Sequence, residues 1–445
     1  MINIATVSLG CPKNTVDSEV MLGKLGEKGF NITNEPEIAE VIIINTCGFI
    51  ESAKKESIDT ILEFAKYKEN KCQVLVVTGC LVQRYKEELK EEIPEIDGIM
   101  GTGEYEKIAD CIDAGLEGTN FDRTEKLDYL YDHTTPRMLS TPKHTAYVKI
   151  AEGCDNHCTY CIIPKLRGGY RSRPIESIVE EVENLVKGGV KEVILVAQDT
   201  TVYGMDIYGE YKLADLLTKL NSVDKLRWIR VMYCYPTYLS DTLLETFSKL
   251  DKVVKYIDLP LQHGDDQILK KMGRKEKVSE LKGLVKKIRS YMPDVAIRTS
   301  LIVGFPGETD ENFENLMEFV KTIKLDRVGV FTYSSEEGTP AHTYPNKVSK
   351  RKKVLRQHRL MKAQRKISKE INEKWVGQTI DVLIESIDNG NLIGRSFRDS
   401  PQIDGNIIIP KKGRGNELIG EIFPVKITEA FDYDLLGEFD YESSK

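Results

Sequence analysis

No apolar run in the 445-residue chain approaches the ~20 residues that a membrane-spanning helix requires, so a helical integral membrane protein is excluded. The opening MINIATVSLG lacks the basic segment of a secretion leader and runs straight into a strand pattern, which predicts a soluble, cytoplasmic protein with no membrane partner. Excess positive charge is missing too. With a formal net charge of −7 and a pI of about 5.7, the molecule matches a polyanion poorly, so stable nucleic-acid binding is not expected and a basic protein is the easier partner. The nine cysteines are an odd number with no leader to direct them outward, which favours metal or redox ligation over a disulfide framework.

At roughly 100–200 residues per domain the chain holds several units, and changes of texture mark three. Over residues 1–118 the apolar runs NIATVSL, EVIIINT and QVLVVTG alternate with helical stretches, which predicts an α/β fold with a doubly wound parallel sheet. Residues 119–139 are polar and carry Thr-Thr-Pro, as a surface linker would. Over 140–372, six further runs, AYVKIAE, KEVILVA, WIRVMYC, YIDLPLQ, AIRTSLIVG and RVGVFTY, predict an open (βα)6 partial barrel. The segment Lys350–Lys374 contains neither Gly nor Pro and should be a connecting helix. Over 373–441, short strands broken by Asp-Asn-Gly and Asp-Gly turns predict a small antiparallel β-barrel.

Six cysteines fall into two sets of three. In AEGCDNHCTYCIIP, Cys154, Cys158 and Cys161 are separated by three and then two residues, just after the first strand of the expected partial barrel. A 4Fe-4S cube held by only three thiolates keeps one iron open, where the amine and carboxylate of an amino acid can chelate while an electron cleaves a sulfonium. A zinc knuckle with His157 as fourth ligand is the weaker alternative, because His157 directly precedes Cys158, outside the usual zinc spacings.

Cys11, Cys47 and Cys80 each follow a predicted parallel strand, at the sheet edge where ligands bind in open α/β folds. They would converge on a second cluster, again with three ligands. Buried thiols that act only as small hydrophobes are the alternative, and that is the expectation for Cys72, Cys111 and Cys234. The triad differs from these in lying in tight turns, Gly10-Cys11-Pro12, Cys47-Gly48 and Gly79-Cys80.

The three-then-two spacing, with Tyr160 just before the last cysteine, resembles the radical S-adenosylmethionine superfamily. That resemblance implies S-adenosyl-L-methionine lying across the C-terminal strand ends, with contacts from Tyr160, from Gln198, Asp199 and Thr200 in AQDTT, from Gln262 in IDLPLQH and from Ser300 in TSLIVGFPGE. The last stretch departs from the superfamily pattern, having Ser300 where a Gly is usual and Glu308 one place late. Gln198, Asp199 and Thr200 read equally well as a polar turn capping the next helix. The glutamate and arginines beside the loop, Glu152, Arg167 and Arg171, are either carboxylate contacts or surface charges at the barrel mouth.

Two incomplete clusters in this order, followed by an OB-like TRAM barrel, resemble the radical methylthiotransferase family along essentially the whole chain. SLGCPKN (8–14), NTCGFIESAK (45–54), AQDTTVYG (197–204), TSLIVGFPGET (299–309) and DYDLLGE (432–438) are similar to the branch that modifies an aspartate of a small-subunit ribosomal protein, the twelfth. The resemblance implies two 4Fe-4S clusters, two S-adenosylmethionine molecules used in different ways, a low-potential electron donor and a methylthio group attached to the aspartate β-carbon. A tRNA methylthiotransferase is the nearest alternative, and a non-catalytic iron–sulfur electron carrier the alternative of another class. From Trp375 to Lys445, seven basic residues stand against thirteen acidic ones, and Lys411, Lys412 and Arg414 are the only basic cluster. Asp432, Asp434, Glu438 and Asp440 are therefore expected to steer a basic substrate rather than RNA, the alternative being that they only keep the domain soluble.

Overall fold

The computed structural model describes residues 2–410 and 415–439, so Lys411, Lys412, Arg414, Asp440 and Lys445 lie outside the described residues. In the N-terminal domain, strands β1 (Asn3–Ser8), β2 (Asn31–Thr33), β3 (Val41–Thr46), β4 (Val74–Gly79), β5 (Gly98–Met100) and β6 (Phe121–Arg123) form one parallel sheet in the order β2-β1-β3-β4-β5-β6. Every residue of β3 and β4 is buried, as expected of central strands covered on both faces by helices. The direction of strand addition reverses between β1 and β3. Helix α1 (Pro12–Glu27) begins with a proline at its first position, where a missing N–H costs nothing. Helices α2 (Glu51–Ala65) and α3 (Cys80–Glu92) follow β3 and β4. The expected linker over 119–139 gives way in its first residues, because Phe121–Arg123 pair in parallel with β5. Polarity hid that strand: only Phe121 of its three residues is buried.

The central domain has its six strands where the apolar runs stand: β7 (Thr145–Lys149), then, after the short antiparallel pair β8 (Ala151–Glu152) and β9 (Arg171–Ser172), β10 (Glu192–Val196), β11 (Trp228–Val231), β12 (Tyr256–Asp258), β13 (Ala296–Val303) and β14 (Arg327–Thr332). They pair in parallel as β7-β10-β11 and β12-β13-β14, and a single parallel bridge, Ile229 to Val253, joins the halves into an open barrel. Alternate residues face helices or the barrel interior. Val148, Leu195, Val231 and Ile257 belong to the large outer core, whereas Tyr147, Ile194, Trp228 and Tyr256 pack inward. Val16 and Val20 of α1 and Leu383 of the last domain join that inner cluster, so the neighbouring domains fill the open barrel.

The connecting helix spans Lys350–Glu373. Strands β15 (Thr379–Asp388), β16 (Asn391–Ser396), β17 (Ile407–Pro410), β18 (Ile422–Ala430) and β19 (Leu435–Phe439) then close a barrel, antiparallel throughout except for the β17–β19 pair. Two of its arginines are buried in the seam with the central domain. Arg395 pairs with Glu192, and Arg398 with Asp326 at 3.1 Å. Asp399 accepts from Arg327 at 2.6 Å, and Asp404 from the Tyr256 hydroxyl at 2.6 Å.

Candidate functional site

Strands β1, β3 and β4 lie side by side, so the turns at their C-terminal ends bring Cys11, Cys47 and Cys80 together. Gly10, at φ +92°, has no room for a side chain: a Cβ would stand 2.7 Å from Cys47 Cβ. The Asn14 amide of α1 ties two of the turns by donating to the carbonyls of Leu9 and Thr46, both at 3.0 Å. Burial, aided by the neighbouring Cys80 and Cys11 thiols, pushes Cys47 up to about 12. Burial also raises Cys80, against the opposing pull of the Arg167 guanidinium. All three thiols are free. Thiols that resist ionisation in this way become thiolates when a metal supplies the positive charge.

The β8–β9 ladder clamps the base of the loop that carries the other triad. Cys154 N–H donates to Gly168 O at 3.2 Å and Cys161 N–H to Cys158 O at 3.1 Å. Burial raises Cys154 to about 11 and Cys161 to about 12, and in each case the neighbouring Cys158 adds to the shift. The Arg274 guanidinium stands 4.0 Å from Cys158 Sγ and 3.9 Å above the Tyr235 ring. Among the described residues no three His, Cys, Asp or Glu side chains close on a single ion. An iron–sulfur cube binds thiolates at separate corners, and two triads of free thiols beside guanidinium groups fit that demand.

A buried ionic network joins the two triads across the domain boundary. Arg167 donates to Asp17 at 2.6 Å, to Glu152 at 3.2 Å and to Asn14 Oδ1 at 2.5 Å, while Lys149 donates to Asp17 at 2.5 Å and to Glu152 at 2.6 Å. Asn14 Oδ1 lies 4.0 Å from Cys80 Sγ, and Glu152 is two residues before Cys154. The reading of Glu152 and Arg167 as surface charges is thus corrected, since both are 2% exposed. Arg171 donates to the carbonyls of Gly169 and Arg167. Asp17, Lys149 and Arg274 are site residues that the sequence reading missed; Lys149 carries the signal of standing three residues before Glu152, and Asp17 only the weak one of standing one turn beyond Lys13 and Asn14 in α1.

The positions expected to meet S-adenosylmethionine are engaged to different degrees. Gln198 donates to Glu152 and leaves a buried side-chain oxygen without a partner. Asp199 accepts from Thr201 N at 3.0 Å and from Asn156 of the cluster loop at 2.8 Å, and Thr200 Oγ1 donates to Met232 O at 2.8 Å, so both do the work of a structured turn. Gln262, at φ +70°, pairs through its backbone with Ser300 and Ile302 beside β13. Tyr160 packs against the cluster containing Met272 and Phe305. Cys72, Cys111 and Cys234 are buried in apolar clusters, Cys234 with its Sγ 3.8 Å from Thr200 Oγ1.

Residues 148–320 match the radical SAM superfamily, 3–101 an uncharacterized protein family designated UPF0004, and 376–439 the TRAM domain. The ribosomal protein uS12 methylthiotransferase RimO of Desulforamulus reducens is 52% identical over 443 residues, covering 98% of this chain and 99% of that relative. The protein of the same name from Clostridioides difficile is 47% identical, covering 99% and 100%. The chain belongs to the RimO family. Among solved structures, the radical S-adenosylmethionine methyltransferase TsrM from Kitasatospora setae, described with cobalamin and a 4Fe-4S cluster bound, aligns with a TM-score of 0.56 over 88% of this chain and 80% of that one. At 13% identity that likeness concerns the fold.

Proposed function

We propose that this RimO-family enzyme attaches a methylthio group to the β-carbon of an aspartate in ribosomal protein uS12, using two 4Fe-4S clusters and S-adenosylmethionine. The observation that carries the reading is the pairing of two three-thiol sites, one in each of two domains, held to one another by the buried Arg167–Asp17–Lys149–Glu152 network. When bound, the clusters would supply the electron that cleaves S-adenosylmethionine and the sulfur that is transferred. Removing hydrogen from an unactivated carbon needs a primary carbon radical, because general bases cannot take that proton at useful rates.

The protein's part is ligation, orientation and exclusion of water. Cys154, Cys158 and Cys161 would hold one cluster and Cys11, Cys47 and Cys80 the other. Arg274 places positive charge beside Cys158, and Arg167 beside Cys80. Tyr160, Gln198, Asp199, Thr200, Gln262 and Ser300 would line the S-adenosylmethionine site, with the unpartnered Gln198 oxygen available to a donor on the ligand. Mass spectrometry of uS12 and of tRNA from cells with and without the gene tests the reading. A methylthio group that disappears from a uS12 aspartate supports it; loss from tRNA alone would replace it with the tRNA-modifying activity.

A further inference from the structure

Behind the cluster loop runs the segment Lys270-Lys271-Met272-Gly273-Arg274-Lys275-Glu276-Lys277, and its backbone is fastened to that loop. Thr159 N–H donates to Met272 O at 2.9 Å and Thr159 Oγ1 to Lys271 O at 2.8 Å, while a Cβ on Gly273, which sits at φ +73°, would stand 2.7 Å from His157 O. Arg274 turns inward to Cys158. Lys270, Lys271, Lys275 and Lys277 are all exposed. The acids nearby are engaged: Glu276 accepts from Thr237 N at 3.2 Å, Asp266 from Val278 N at 2.6 Å and Glu280 from Lys277 N at 2.7 Å. Glu276 also faces Arg274 Nε at 3.5 Å, and among the described residues none of the four lysines forms an ion pair, so in a chain of net charge −7 they stand as a row of free cations beside carboxylates held by backbone N–H groups.

An aromatic row leads from the same edge towards the triad. The half-exposed Tyr211 ring lies 5.6 Å from Tyr238, which lies 5.8 Å from Tyr235, the ring under Arg274. Lys275 Nζ is 3.4 Å from the Tyr238 hydroxyl. Glu210, next to Tyr211, is paired with Lys212 at 2.8 Å.

We propose that Lys270, Lys271, Lys275 and Lys277, with Tyr211 and Tyr238 beside them, form the docking face for an acidic, low-potential one-electron carrier protein. The proposal rests on the radical S-adenosylmethionine reading and says where its electron enters. For each sulfonium cleaved, the carrier is oxidised by one electron; the carbon–sulfur bond that receives it breaks into methionine and a 5′-deoxyadenosyl radical. Electron transfer falls steeply with distance, so the carrier must sit where the triad approaches the surface, and here the loop reaches it through Cys158, Arg274 and the aromatic row. Electron-transfer encounters bury little area, under ~1,200 Å². Four lysines in one segment are then enough to govern association by charge.

The test uses the anaerobic holoenzyme and a fluorescently labelled acidic flavodoxin as the probe. Changing the four lysines together to Glu should weaken flavodoxin binding about ten-fold or more at low ionic strength and reverse the sign of the salt dependence of the Kd, because salt then screens repulsion instead of attraction. The four-fold Gln variant should fall between. Deoxyadenosine formation driven by dithionite should be unchanged in both variants, whereas that driven by flavodoxin should fall. An unchanged Kd overturns the proposal, and so does an equal loss with dithionite, which would place the lysines in support of the cluster itself. Weakened binding of a ribosomal RNA hairpin with flavodoxin binding intact would assign the edge to RNA and likewise overturn it. Failure of dithionite-driven cleavage in the unaltered holoenzyme would count instead against the radical reading.

Discussion

Arg167 and Asp17 stand 150 positions apart in the sequence and 2.6 Å apart in the fold, each only 2% exposed. One belongs to the cluster loop of the central domain and the other to α1 of the N-terminal domain, so the pair fixes one thiol site relative to the other. Removing one member of a buried ion pair leaves an uncompensated charge and costs about 3–5 kcal/mol. Arg167→Met should therefore lower the urea midpoint of the holoenzyme and reduce iron retention at the Cys11 site. Arg167→Lys keeps the charge but cannot fork to Asp17 and Asn14, and should fall between. A midpoint unmoved by Arg167→Met would mean that the network does not hold the domains together.

The two triads should separate by function. Changing Cys154, Cys158 and Cys161 to Ala should leave about four irons, with S-adenosylmethionine cleavage gone. Changing Cys11, Cys47 and Cys80 to Ala should preserve that cleavage and abolish carbon–sulfur bond formation. Iron analysis, deoxyadenosine yield and substrate mass read the three quantities independently. Full iron in the first variant, or sulfur attachment by the second, would reject the division of labour.

At Gly10 the constraint is steric. A side chain there would have to adopt φ +92° and would meet Cys47 Cβ at 2.7 Å. Gly10→Ala is expected to displace the Cys47 turn and lower iron at that site alone, leaving the cluster signal of the Cys154 triad unchanged in low-temperature electron paramagnetic resonance. Equal loss of both signals would point to general misfolding rather than a local clash.

What the sequence disclosed follows from the range of each interaction. Strands such as Val41–Thr46 and the helix Lys350–Glu373 are set by local pattern and so were legible, and with the strands came the placement of Cys11, Cys47 and Cys80 at their C-terminal ends. Strand Phe121–Arg123 exists because it pairs with β5, and its own residues do not announce it. Arg395 reads as one of few cations in an acidic domain, yet it is 1% exposed and paired with Glu192, over two hundred positions away. The Glu152–Lys149 half of the network could be read from a spacing of three, but Asp17 required the fold. The segment 270–277 shows its charge in the sequence, and only the contacts of Thr159 reveal what lies behind it.

Acid sensitivity should originate in part at Glu181, which joins Arg173 at 2.5 Å and Arg137 at 2.7 Å. Burial opposes its ionisation, but the two guanidinium groups outweigh that and hold the carboxyl below the usual range. A carboxyl depressed by folding contributes its full stability above an unfolded pKa of about 4.3 and loses it as pH falls through the lower folded value. Glu181→Gln should cost about 3–5 kcal/mol at pH 7 by leaving two buried cations short of a partner, and should flatten the fall in stability below pH ~4.3. Urea midpoints across that range decide it: an acid limb as steep in the variant as in the parent would exclude Glu181 as a contributor.

The charge of the last domain is expected to favour a basic protein substrate, and its described surface says which carboxylates to test. Arg395 and Arg398 are withdrawn into the seam, which leaves Lys426 as the exposed cation among the described residues of the barrel, against exposed Glu421, Glu429 and Glu438. An acidic surface repels RNA and attracts a basic ribosomal protein over a range of about one Debye length. The carboxylates are not equivalent, however. Asp434 accepts from Asn406 N at 2.8 Å and secures a turn, and Asp432 lies 3.5 Å from Arg365, whereas Glu429 and Glu438 are exposed on β18 and β19. The seam meets the first residues of core strands, Thr145, Glu192, Tyr256 and Arg327, not the ends that carry the cluster loop. The domain's charge is therefore expected to act on approach rather than on seating. Reversing Glu429 and Glu438 to Lys should slow association with uS12 at low salt and leave the rate at high salt, the iron content and the dissociation rate unchanged. If stopped-flow association with uS12 were the same in the variant and the parent at low salt, the domain's charge would have no part in substrate capture.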